Sequence, residues 1–220
     1  RRPLYENNPA ADVGNTNHLA WSHYDEPAAA GRIFTWTPMF ETTYTNWRAA
    51  DPSRTIFINF AGPDLSYFCS HTDSYSTNYA SYYPRLLATA DWIANDLYPC
   101  AGWLNADHAP RRGDITLINE PIRILKTDPR LLTTKPQFCF IETSEIEYGN
   151  VPGARCPTPA EVRAEIWYAI INGVRGFFYF PAVVGVNGFQ FDGTPAAVVA
   201  EVTNQNATIQ PILPEGQAAI

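Results

Sequence analysis

The sequence predicts an α/β fold: the C-terminal portion of a (β/α)₈ TIM barrel, with residues 1–220 forming one partial-barrel domain and the first strands absent from the chain. Three observations carry that expectation. Five short runs rich in β-branched and aromatic residues recur along the chain, most of them closed by Pro or Gly. Helical patterns with start and stop signals stand between several of them. No G-x-G-x-x-G follows any run, which disfavours a dinucleotide-binding, doubly wound sheet, the other fold that five such strands fit.

The elements follow in order. Leu19 to Tyr24 reads as the first strand, ending in Asp25-Glu26-Pro27. Thr55 to Phe60 is the second, closed by Ala61-Gly62-Pro63. A long aromatic loop then leads to a short helix near Arg85 to Ala90. Trp92 to Leu97 is the third strand, stopped by Tyr98-Pro99, and a helix near Glu120 to Thr127 follows. Gln137 to Ile141 is the fourth, leading into Glu142. Thr158-Pro159-Ala160-Glu161 is a capping box that opens a helix with Val162, Ile166 and Ile170 on one face and Gly173 as its left-handed stop. Gly176 to Phe180 is the fifth strand. Thr194-Pro195 opens a last helix carrying Val198, Val202 and Ile209.

Composition bounds the function. Apolar residues make up 45% and charged residues 17%, a globular balance. A net charge of -7 and a pI near 5.0 leave no basic stripe for phosphates, so nucleic acid is not an expected partner. No apolar run approaches the ~20 residues that span a bilayer. The start at Arg1-Arg2 reads as a processed product or a fragment. The sequon Asn206-Ala207-Thr208 suggests a secreted protein. Cys69, Cys100, Cys139 and Cys156 have no C-x-x-C spacing, so neither a zinc nor a redox motif is expected. Cys139 reads as core, and Cys69 and Cys100 as a pair that could be bonded. His71 and His108 lie in loops without metal-ligand spacing, and no cofactor is expected. His18 and His23 read as core histidines.

In a barrel the chemistry sits at the C-terminal ends of the strands. Here those ends carry Glu26, Asn59, Asp96, Tyr98, Glu142 and Tyr179. Glycoside hydrolysis needs two carboxyl groups, one to protonate the leaving oxygen and one to attack or to activate water. Glu26 and Glu142 form the expected pair. Asp25, Asn59, Asp96, Tyr98, Tyr179 and Trp103 are the expected substrate contacts. Trp36, Tyr44, Trp47, Tyr67, Phe68 and Trp103 are read as loop aromatics able to stack on sugars, to pack the loops together or to meet a partner.

The strand ends Asp25-Glu26-Pro27, Asn95-Asp96-Leu97-Tyr98-Pro99 and Phe140-Ile141-Glu142, with the strand Gly176-Phe177-Phe178-Tyr179-Phe180, resemble clan A retaining glycoside hydrolases over roughly Leu19 to Leu213, as a pattern and not as close identity. The resemblance implies that Glu26, after strand four, is the acid/base and that Glu142, after strand seven, is the nucleophile. It places Tyr98 where a strand-six Tyr orients the nucleophile. It also implies that strands one to three come from another chain or segment.

Asp25 departs from the clan, which usually has Asn there; a carboxylate at that position would repel Glu26. Asn119-Glu120-Pro121 looks like the clan's acid/base tripeptide, but Glu142 follows only 22 residues later. That leaves no room for two strand–helix units of ~30 residues, so Asn119 is read as a helix N-cap. Glu145 and Glu147 are read as solvated loop residues. The alternative to a hydrolase is a non-catalytic barrel that binds glycan or serves as an assembly component.

Overall fold

The computed structural model describes residues 13, 19–146, 151–185, 188–191 and 193–212. The readings of Arg1-Arg2, His18, Glu147 and Leu213 fall outside the described residues. The fold is α/β. Strands β1 (Ala20–Ser22), β2 (Thr55–Ala61), β3 (Trp92–Asp96), β4 (Gln137–Glu142) and β5 (Gly176–Phe180) form one all-parallel sheet in chain order. The register sets Ser22 beside Phe57, Phe57 beside Trp92 and Ala61 beside Asp96. Two short strands, β6 (Val183–Gly185) and β7 (Gly188–Gln190), make a separate antiparallel hairpin.

By its contacts the chain divides into two compact units: Arg1–Asp96 with Arg123–Phe138, and Leu97–Ile122 with Cys139–Ile220. In the first unit, Ile56, Ile58 and Phe60 of β2 and Ile93 of β3 enter a core with Trp21 of β1. Alternation along β2 therefore sends Phe57, Asn59 and Ala61 to the opposite face. The core is covered by four helices: α1 (Ile33–Ala50), α2 (Gly62–Ser70), α3 (Ser74–Ala80) and α4 (Tyr83–Ala88). His23 belongs to this core. It stacks between Phe40 (4.3 Å) and Trp47 (5.0 Å), and its Nε2 lies 2.9 Å from the Thr89 carbonyl oxygen. Lys135 closes the unit from the distant segment, donating from Nζ to the carbonyls of Leu87 (2.5 Å) and Ala90 (2.6 Å).

Of the six expected loop aromatics, Trp103 lies in a loop and the other five lie on helices. Trp36, Tyr44 and Trp47 lie on α1, and Tyr67 and Phe68 on α2. Trp47 is buried against Trp21 and His23, Phe68 stacks on Tyr79 (4.2 Å), and Tyr44 lies beneath the Arg48 guanidinium. The reason α1 does not look helical is local. It contains Pro38 and five β-branched threonines, all poor helix formers. Thr37, Thr42 and Thr45 turn their hydroxyls back onto carbonyls four residues earlier, which satisfies them within the helix. Ile33, Thr37, Phe40, Tyr44 and Trp47 nevertheless recur at steps of four and three, and all but the half-buried Tyr44 are buried.

The second unit holds α6 (Pro159–Ile171) and α7 (Ala196–Ile209); α5 (Asn119–Thr127) runs from this unit into the first. Thr158 Oγ1 accepts from Glu161 N (3.3 Å), and the Glu161 carboxylate accepts from Thr158 N (2.7 Å), the reciprocal capping box that the sequence signals. Val162, Ile166 and Ala169 pack with Val198 and Ile209 of α7 and with Cys139 and Ile141 of β4. Gly173 ends α6 at φ 74°.

Asn119 is not an N-cap. It sits at φ -73°, ψ -24°, continuing from a 3₁₀ turn (Ile115–Ile118) that is capped by Asp114, and its Oδ1 accepts from Asn172 Nδ2 at 2.6 Å. The expected Cys69–Cys100 bond is absent: all four cysteines are free. Cys69 lies within α2 and Cys100 in the turn after β3, so the two do not occupy equivalent places beyond consecutive strands.

Candidate functional site

The site is built where β1, β2 and β3 end. After β1 the backbone stays alongside β2, with His23 N donating to Phe57 O (3.0 Å) and Glu26 N to Asn59 O (3.3 Å). That pairing carries Asp25 and Glu26 to the side of Asn59. Glu26 is held at φ 50°, the only positive φ at a non-glycine among the described residues. A left-handed Glu is strained by about 1–2 kcal/mol, and such strain persists only where the surroundings over-determine it. Those surroundings are visible: Pro27 follows, and the Glu26 carbonyl accepts from Ala29 N (3.0 Å) and Arg32 Nη2 (3.3 Å).

Asn59 lies in β2 and Asp96 closes β3, and the register puts both on the face away from the helices. Asn59 Nδ2 donates to Asp25 Oδ1 (2.9 Å) and to Asp96 Oδ2 (2.8 Å). The amide nitrogen faces both carboxyl oxygens, the orientation that ionised carboxylates favour. Asp64, in the first turn of α2, adds a fourth carboxyl whose charge reaches Glu26, and Arg32 supplies positive charge to Asp25, Glu26 and Asp64.

The protonation pattern follows. Burial pushes Glu26 up to about 7, helped by the charges of Asp25 and Asp64 and opposed by Arg32 and by a hydrogen bond with Asp96. Asp96 is raised well above the usual range, first by burial and then by the charges of Glu26 and Asp25; Asn59 and the Gly62 N–H offset part of this. Asp25 keeps a solvent-exposed edge, yet protein atoms crowd its carboxyl and raise it as well, against Asn59, the Glu26 amide and Arg32. Such groups titrate as a set. The outcome is a carboxyl proton retained near neutrality at a strand end, which general-acid catalysis requires.

Glu142 lies elsewhere, in the second unit. It is fully buried, with Oε1 accepting from Cys100 N (2.8 Å) and Oε2 from Ala101 N (2.7 Å). Glu165 of α6, also fully buried, is its side-chain neighbour. Burial raises both, but the two amide donors favour the ionised form of Glu142, so the proton rests on Glu165. Tyr98 stacks on Phe180 (5.5 Å), with Gly102 so close that a Cβ there would come within 2.5 Å of the Tyr98 Cβ. Tyr179 turns to the helix layer and donates to Asn206 Oδ1 at 2.7 Å. Trp103 is 66% exposed. Glu120 of the decoy tripeptide pairs with His108 (2.8 Å) and Arg111 (2.5 Å); burial opposes its ionisation and these partners overcome it, holding it below the usual range.

The structure thus gathers Asp25, Glu26, Asn59 and Asp96 into one cluster and places Glu142 and Tyr98 in the other unit. Sequence reasoning missed Asp64, Arg32 and Glu165. Gly62-Pro63-Asp64 carried the signal for the first, since Pro and Asp straight after a strand mark a helix start. Glu165 could have been found as the one acid on the Val162–Ile166–Ala169 face. Comparison with known protein families and with curated proteins finds no match for this chain. The chemistry of the site therefore rests on its geometry.

Proposed function

We propose that the chain is the later part of a (β/α)₈ barrel of glycoside-hydrolase type, in which Glu26 is the proton donor to the leaving oxygen of a glycosidic bond. The observation that carries the reading is the Asn59 amide bridging Asp25 and Asp96 beside a left-handed Glu26. Five parallel strands in chain order suit such a barrel. In this reading Asp25, Asn59 and Asp96 hold sugar hydroxyls, and another segment or chain supplies the remaining strands. The two-carboxylate scheme also requires a nucleophile, the role that the resemblance implies for Glu142.

One observation favours the second reading, a non-catalytic barrel that binds glycan or serves in an assembly. Both Glu142 oxygens are occupied by backbone amides in the interior. A panel of aryl glycosides separates the two. Under the hydrolase reading, Glu26→Gln lowers turnover by roughly 10²–10⁴-fold, most for poor leaving groups, because activated ones need little protonation. Glu142→Gln then removes covalent-intermediate formation. Equal rates for wild type and Glu26→Gln, or no turnover of any glycoside, would leave the non-catalytic barrel.

A further inference from the structure

We propose that Arg32 is the positioning residue of the strand-end site: its guanidinium, clamped by Trp36, locks the left-handed turn at Glu26 and so keeps that carboxyl inside the cluster. That Glu26 is a proton donor rests on the hydrolase reading above; the lock rests on observations of its own. The side chain at residue 26 does not select a φ of 50°, since neither glycine nor asparagine stands there. The turn is held through its carbonyls. Arg32 stands between the 3₁₀ turn Ala29–Gly31 and α1. Its Nη2 donates to the Glu26 carbonyl (3.3 Å) and its Nε to the Ala29 carbonyl (2.9 Å), which also accepts from the Arg32 backbone N–H (3.2 Å). One planar fork thus ties the two carbonyls that bracket the turn to the start of a helix. The plane is fixed as well. It lies over the Trp36 ring at 4.4 Å, and Trp36 packs on the buried Phe40 (6.0 Å).

The charge and the fork of Arg32 act on Glu26 in opposite senses. The charge lowers its pKa, whereas the fork keeps the carboxyl where burial, the largest influence on it, raises it to about 7. The other charged groups around it are Asp25 beside it, Asp64 of α2 and Asp96 of β3. Without the lock the turn relaxes to negative φ, the carboxyl moves toward water and its midpoint falls. With the lock kept and the charge removed, the midpoint would rise.

The test is an NMR titration of the Glu26 carboxyl carbon in wild type, Arg32→Lys and Arg32→Gln. Lysine keeps the charge without the fork or the plane, and glutamine removes the charge too. Both variants are expected to drop the midpoint from about 7 toward the ordinary 4.5, by more than about one pH unit. A midpoint that Arg32→Lys leaves unchanged overturns the proposal; a rise in Arg32→Gln beside it would show an influence of charge alone.

Thermal unfolding at pH ~4, where Glu26 is largely protonated with or without the lock, gives a second readout. Arg32→Lys should lower the melting temperature of wild type and leave that of Glu26→Gly nearly unchanged, because glycine makes the turn unaided. Equal losses in the two backgrounds overturn the proposal. Should Arg32→Lys alone not fold, recovery in the Glu26→Gly background supports the lock, and continued failure there overturns it. Neither readout needs a substrate, so a lack of turnover of any glycoside removes the hydrolase reading and leaves the lock standing. If wild type hydrolyses aryl glycosides, the alkaline limb of its pH profile moves down in Arg32→Lys with the Glu26 midpoint; an unmoved limb overturns the positioning role.

Discussion

At the residue scale, two side chains carry opposite pH signatures. His23 is neutral in the folded core, its pKa lowered by burial to about 4 against the Thr89 hydrogen bond. Its folded value lies below its unfolded one, so its contribution is present above pH ~6.5 and is lost as pH falls toward 4. Going from pH 7 to 5 it removes about 2 kcal/mol of stability. In an NMR titration the His23 ring signals should stay unshifted down to pH ~5; a midpoint near 6.5 would contradict its burial. Glu26 runs the other way. Its folded value, about 7, exceeds its ordinary one, so its contribution is present below pH ~4.5 and is lost as pH rises through 7. Glu26→Gln should therefore be more stable than wild type at pH 8, by about 1 kcal/mol once solvent screening is allowed for. Urea unfolding at pH 4 and pH 8 checks both the sign and its disappearance in acid. Of this residue-level picture, Glu26 and its neighbours at the strand ends were legible, because alternation and strand-end polarity are written in the chain. The left-handed turn at Glu26 was not, because no glycine or asparagine announces it.

At the element scale, local rules succeeded where they are strong and failed where tertiary packing overrode them. All five strands of the main sheet and the capped helix α6 were legible from β-branched runs and from Thr158-Pro159-Ala160-Glu161. Helix α1 was not, because Pro38 and the threonines argue against a helix whose buried face supplies its stability. Two substitutions test this division. Thr158→Ala removes one half of the capping box and should cost about 1 kcal/mol in urea or thermal unfolding. Pro38→Ala, at an exposed position inside α1, restores a backbone donor and relieves the ring, and should stabilise the protein by about 1 kcal/mol or more. A destabilised Pro38→Ala would show that the proline shapes the helix rather than merely being tolerated.

At the scale of the whole molecule, the two units are each discontinuous in sequence, a property that no local pattern encodes. The first needs residues 123–138: Leu125 and Leu131 belong to its core, and Lys135 holds the carbonyls of Leu87 and Ala90. A fragment of residues 1–96 should therefore lack cooperative unfolding, and a peptide of residues 123–138 added in trans should restore it, as judged by near-ultraviolet circular dichroism. Cooperative unfolding of 1–96 alone would mean that those contacts are dispensable. The acidic net charge read from composition belongs to this scale too. At -7 it favours solubility and association with cationic ligands over polyanions.

The four free thiols have a practical consequence. Cys100 and Cys139 are buried, and burial lifts every one of the four above its ordinary value, Cys69 to about 12. Little thiolate exists at neutral pH, so alkylating reagents should label the native chain slowly and the denatured chain at four positions. Refolding needs neither an oxidant nor a disulfide isomerase, and its rate should be the same with and without dithiothreitol. The protein can be prepared in fully reducing buffer from first lysis to final assay without loss of its fold.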